Sequence, residues 1–111
     1  MRYAPLGRSG LITSNLTLGT MIFGESSSRS TPKADALRMI DTYLDAGGNH
    51  LDTADVYAEG RSEEIVGEAI SRKRSKVIVA TKVRFPTGNG VNEVGLSRHH
   101  IIEGVNRSLQ R

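Results

Sequence analysis

Two short apolar runs in this chain each end at an ionisable residue, and a helical segment lies between them. The first runs from Asn49 to Thr53 and carries Asp52 near its end, with Tyr57 following in the next loop. The second runs from Val77 to Val83 and carries Lys82. Between them stand the polar turn Ala58-Glu59-Gly60-Arg61 and an acidic helix start, Ser62-Glu63-Glu64. A buried strand that stops at an acid and opens into a loop before a helix is the unit with which α/β barrels place chemistry. Asp52, Tyr57 and Lys82 on neighbouring strand ends would therefore meet at one mouth.

The rest of the chain extends the same alternation. Arg2–Leu6 and Leu11–Thr13 flank Gly7-Arg8-Ser9-Gly10 and predict a β-hairpin. Asn15–Leu18 predicts a further short strand, ended by Gly19-Thr20, and Met21–Gly24 an apolar loop. Glu25–Ser30 is rich in serine and is expected to be mobile. Thr31-Pro32 predicts a helix start, with Thr31 as N-cap and Pro32 at the first helical position. Ala36, Leu37, Ile40, Tyr43 and Leu44 recur at helical spacing, and Gly47-Gly48 stops the helix. Ser62 is expected to cap a second helix with Ile65, Val66, Ala69 and Ile70 on its apolar face. The strand Val77–Val83 reads as apolar on both faces, as a covered parallel strand should. Phe85–Leu96, rich in glycine and asparagine, predicts a long loop. Ser97 then caps a third helix, with Ile101, Ile102, Val105 and Leu109 on one face and His99 and His100 at its surface or cap. A hairpin followed by strands alternating with helices argues for parallel βαβ units.

Composition narrows the function classes. With 111 residues the chain makes one small domain. The net charge of +3 is mild and spread along the chain. Its one dense cluster, Arg72-Lys73-Arg74-Ser75-Lys76, suits a helix C-terminus. No aromatic interleaving or recognition motif accompanies it, so no nucleic-acid partner is expected. The absence of cysteine rules out a disulfide framework and a thiolate metal site, and no other metal constellation is present. The N-terminus lacks an apolar signal core, and no run approaches the ~18 apolar residues of a membrane span. A soluble cytoplasmic protein without a membrane partner is the expectation.

Several stretches resemble the aldo-keto reductase family. Leu6-Gly7-Arg8-Ser9-Gly10-Leu11 looks like its N-terminal hairpin, and Leu18-Gly19-Thr20-Met21 like its first-strand motif. Gly48-Asn49-His50-Leu51-Asp52-Thr53-Ala54-Asp55-Val56-Tyr57 looks like the motif of its catalytic Asp and Tyr. Ser62-Glu63-Glu64-Ile65-Val66-Gly67 also fits, and Ala80-Thr81-Lys82-Val83 resembles the stretch with its catalytic Lys. The branches resembled include bacterial oxidoreductases and potassium-channel β subunits. His50 stands where a large apolar residue is common, and Ala58 where glycine or another small residue is common.

The resemblance implies an α/β fold: the N-terminal hairpin and first three βα units of an (α/β)8 TIM barrel, over residues 1–111. A whole barrel needs about 250 residues. The family's catalytic His and most of its cofactor-phosphate site are accordingly expected beyond Arg111. It also implies NADP(H) as cofactor and a small carbonyl compound as substrate. Asp52, Tyr57 and Lys82 are implied as catalytic residues, and Gly19, Thr20, Met21 and Asp52 as cofactor-binding.

In that chemistry a hydride reaches a carbonyl carbon and the oxygen takes a proton from Tyr57. A phenol ordinarily holds its proton up to about pH 10, and a nearby ammonium favours phenolate. Lys82 would play that part, with Asp52 holding Lys82 in place. Taken singly, such residues are more often packing, turn or edge residues; together, in the family's spacing, they read as a site. The alternative is a non-catalytic regulatory or binding piece, or a degenerate remnant of the family. An open parallel sheet would leave Val77, Val79 and their neighbours facing water, so self-association through that face is expected.

Overall fold

The computed structural model describes residues 1–24 and 27–111. Of the serine-rich stretch, Glu25 and Ser26 lie outside the described residues, whereas Ser27 and Ser30 close a turn, N to O at 3.0 Å. Strands β1 (Tyr3–Pro5) and β2 (Ile12–Ser14) form the predicted antiparallel hairpin. Strands β3 (Leu18–Gly19), β4 (His50–Asp52) and β5 (Ile78–Ala80) form a parallel sheet in the order β3-β4-β5. These strands are shorter than the apolar runs that announced them. Pairing continues past the ladder, however, because Thr53 donates to the Ala80 carbonyl at 2.9 Å and Asp55 to that of Lys82 at 3.2 Å.

Helix α1 (Lys33–Asp45) starts one residue later than expected. Pro32 is the N-cap, and no side chain caps the helix. Thr31 does not serve as cap because its backbone is already engaged: it donates to the Ile22 carbonyl at 2.8 Å and accepts from Gly24 at 3.3 Å. The helix ends as read, with Gly47 at φ +89°, a conformation glycine adopts without a Cβ clash. Gly48 meets the same helix from outside, since a Cβ there would sit 2.1 Å from Cζ of Tyr43. The Tyr43 hydroxyl lies within hydrogen-bond distance of the carbonyls of Leu16, at 2.7 Å, and His50, at 3.0 Å, which ties the helix end to the sheet.

Helix α2 (Arg61–Ile70), by contrast, starts earlier than the sequence suggests. Its N-cap is Gly60 at φ +93°, and Ser62 is no cap but a fully buried residue of the first turn. The cause is the turn before it, where Ala58 (φ +49°) and Glu59 (φ +58°) are left-handed as well. The basic cluster lies past the helix end, in turns, with Lys73 near Asp41 at 3.4 Å.

The core joins α1 and α2 to the sheet through Phe23, Ala36, Ile40, Leu51, Ile65, Val66, Ile70 and Val77. Val77 is thus buried, and Val79 half-buried against the core, contrary to the expectation that both would face water. Val77 lies in the core with α1 and α2, whereas Val79 also lines an open gap. Helix α3 (Arg98–Gln110) starts as read, Ser97 accepting from the His100 amide at 3.1 Å. Its packing differs. His100, read as a surface or capping residue, is buried, and Gly104 approaches Val83 so closely that a Cβ would lie 2.6 Å from Cγ2. The small residue lets the helix backbone close on the sheet end, while Ile101, Ile102, Val105 and Leu109 remain 39–72% exposed. Val105 and Leu109 border an open gap of about 480 Å³ between α3, α2 and β5. Among the described residues no helix is long and apolar enough to cross a membrane.

Candidate active site

The strand register brings the three predicted residues together. Asp52 ends β4 opposite Ala80, and Lys82 lies two residues past Ala80 on the same side of the sheet end. The Lys82 ammonium donates to Asp52 Oδ2 and to the Thr53 carbonyl, each at 2.7 Å, and to Tyr57 Oη at 3.4 Å. Three acceptors for three N–H bonds leave the ammonium fully satisfied. It also stands 5.0 Å from the centre of the Tyr57 ring. Tyr57 opens the short turn Tyr57–Gly60, and the left-handed residues after it swing the chain into α2, which leaves the phenol at the rim.

Burial on its own would lower the lysine's affinity for its proton. The hydrogen bonds to Asp52 and Tyr57 and the Asp52 charge outweigh it, and the Lys82 pKa rises above 10.5. The charge is therefore secure at neutral pH. Half of the Lys82 side chain is still open to solvent.

The predicted cofactor-binding stretch divides in two. Gly19 pairs with Asp52 in the sheet, and a Cβ added there would meet nothing within 4 Å. Met21 is exposed. Thr20 is fully buried, and its hydroxyl is bound to the Asp52 carbonyl at 3.0 Å and Ser62 Oγ at 2.8 Å. Ser62 Oγ in turn donates to the Thr20 carbonyl at 2.8 Å and contacts Thr53 Oγ1 at 3.2 Å. This buried hydroxyl knot joins β3, β4 and α2 directly beneath Asp52. A serine at a helix start suggests a cap, so the sequence pattern gives no sign of this role.

A second buried group, Glu63, contacts the residue just before Lys82 in the chain. The Glu63 carboxylate accepts from Thr81 Oγ1 at 2.5 Å and from Arg111 Nη1 at 2.7 Å. Asp55 is buried nearby. Burial raises its pKa above the usual carboxylate value, and Glu63 adds to this, against weaker pulls from the Val56 amide, His100 and Arg111. Sequence reading placed Glu63 only as a first-turn acid and passed over Thr81 and Arg111. The one available signal was that Thr81 and Glu63 sit in the two stretches that frame Lys82 and the second helix.

A sequence model of the Aldo/keto reductase family matches residues 15–111. The chain belongs to the aldo-keto reductase family. A probable voltage-gated potassium channel subunit beta from Oryza sativa subsp. japonica is 45% identical over the whole chain, which spans 34% of that protein. A versiconal hemiacetal acetate reductase from Aspergillus parasiticus is 37% identical, again over the whole chain and 39% of the relative. Among solved structures, the holo form of an aldo-keto reductase from Bacillus halodurans superposes with a TM-score of 0.80 at 38% identity. That match covers 99% of this chain and 36% of the other. The chain thus spans little more than a third of its aldo-keto reductase relatives. It carries the hairpin and first three βα units of their TIM barrel, with the sheet open.

Proposed function

We propose that this aldo-keto reductase chain holds the proton-transfer site of an NADP(H)-dependent enzyme that reduces aldehydes and ketones to alcohols. The observation that carries this reading is the Lys82 ammonium held between Asp52 and Tyr57. Gly19, Met21 and Asp52 would hold the nicotinamide end of the cofactor, which supplies the hydride when bound. Tyr57 Oη gives its proton to the carbonyl oxygen as charge develops there. Lys82, kept charged by Asp52, stabilises the phenolate left behind. Asp52 touches no reacting atom in this scheme; it fixes where the ammonium stands.

Tyr57→Phe keeps the ring and removes the proton. In the complete gene product, turnover of a reactive aldehyde should fall by a factor on the order of 10² to 10⁴, with cofactor affinity nearly unchanged. Wild-type turnover in this variant would sink the assignment. The second reading, a non-catalytic regulatory piece, draws on the 45% identity to the probable channel subunit. It predicts no oxidation of NADPH by wild-type protein with any aldehyde. We also propose that the isolated 111-residue chain associates with itself through the apolar stripe on α3.

A further inference from the structure

Regular pairing of β5 ends at Ala80, yet Lys82, two residues further on, reaches two acceptors at once, each at 2.7 Å. Something beyond the ladder holds it. The backbone bond from Asp55 to the Lys82 carbonyl, at 3.2 Å, is one hold. Thr81, the residue between, supplies another through its short bond to Glu63 Oε1. Glu63 is itself anchored, with 5% of its side chain exposed and its second oxygen on the Arg111 guanidinium. Arg111 reaches on to the Asp55 carbonyl at 3.5 Å, two residues before Tyr57 in the chain. The guanidinium also fills the space above Gly60, where a Cβ would lie 2.7 Å from Cζ. One buried ion pair therefore braces both segments that present the site, the end of β5 and the turn that carries Tyr57.

We propose that Thr81, anchored through Glu63 and Arg111, is a positioning residue for the Lys82 ammonium. The inference rests on the carbonyl-reduction reading of the same site. A buried carboxylate held by a half-buried guanidinium cannot follow the strand end if it drifts, so the hydroxyl bond transmits rigidity from the helix layer to the lysine. Lys82 then sits against Tyr57 without having to find that geometry at each turnover. A merely stabilising ion pair would leave the chemistry indifferent to Thr81.

Glu63→Gln would strand the buried Arg111 charge and endanger folding, so Thr81 is the better probe. Thr81→Val removes the hydroxyl at nearly constant volume and leaves Glu63 paired with Arg111. In the complete gene product, Thr81→Val should lower kcat on the order of tenfold, with KM for aldehyde and for NADPH within about twofold. Thr81→Ser should restore kcat and the wild-type melting temperature, whereas Thr81→Val leaves one Glu63 oxygen without its donor and should melt somewhat lower. Tyr57→Phe runs alongside as the control. Wild-type kcat in Thr81→Val, with Tyr57→Phe impaired, overturns this inference alone. A kcat loss that serine does not rescue, or one accompanied by an equal rise in both KM values, assigns Thr81 a structural part and also overturns it. Normal turnover in Tyr57→Phe, or none in wild type, overturns the carbonyl-reduction reading and this inference with it.

Discussion

Helices α1 and α3 are each 13 residues long and each show apolar residues at helical spacing, but they use those residues in opposite ways. Helix α1 buries Ala36 and Ile40 completely against the sheet. Helix α3 turns Ile101, Ile102, Val105 and Leu109 outward and packs through His100 and Gly104. An apolar face shows that a helix needs a neighbour; it does not say which. For α1 the neighbours, β4 and α2, lie within this chain. For α3 the chain offers Val83 against Gly104 and, at the helix end, the polar contacts of Arg111 with Glu63 and Asp55, but no cover for the apolar stripe. The site belongs with α1 in this respect, because Asp52, Tyr57 and Lys82 come from adjacent βα units of this chain.

The largest effect should separate the two helices outright. Ile40→Ala should destabilise by about 2–5 kcal/mol, the usual cost of emptying a filled core position. Leu109, 72% exposed, should lose at most about 0.5 kcal/mol on change to alanine. Urea denaturation of both variants checks this, and a loss at Leu109 near that at Ile40 would mean that its stripe is covered in solution. In the isolated chain Leu109→Lys should weaken self-association, read by sedimentation velocity. Unchanged association would free α3 from that part.

The buried acid between the two regions gives a pH signature. The raised pKa of Asp55 means that the folded state holds this proton more tightly than the unfolded state. Its contribution to stability is present below the ordinary value of 3.8 and is lost as pH rises through the folded value. Asp55→Asn should therefore raise the melting temperature at pH 7, and the gain should vanish toward pH 3. Glu63, His100 and Arg111 surround it, so the comparison is best made with all three intact. A gain that stayed constant with pH would assign the effect to packing. The smallest change is expected at Ala58. Its φ of +49° costs an L residue about 1 kcal/mol, and glycine relieves that while loosening the unfolded chain by about 0.4–1 kcal/mol. Ala58→Gly should gain less than about 1 kcal/mol in a thermal melt; a clear loss would contradict the strain.

Much of the architecture was legible because it is local. Gly47-Gly48, Ser97 and the β-branched run before Lys82 act through backbone rules that do not depend on distant residues. The meeting of Asp52, Tyr57 and Lys82 was legible through strand ends and spacing. What escaped depends on partners far apart in sequence. Thr31 and Ser62 look like caps, yet one is taken by the Phe23 loop and the other by Thr20 and Thr53. His100 looks like a surface residue until Gly104 draws the helix in. Glu63 and Arg111 lie 48 positions apart, and nothing in either stretch announces the pair.

The central claim is that one ammonium is shared between Asp52 and Tyr57. Titration of Lys82 by the carbon-13 shift of its ε-carbon, in the complete gene product, tests it most directly. The raised pKa contributes stability that is fully present below 10.5 and is lost as pH climbs through the folded value. The account predicts a Lys82 midpoint above that of an ordinary lysine in wild type, falling when Asp52→Asn removes the leading partner. An ordinary midpoint in wild type, unmoved by Asp52→Asn, would contradict it.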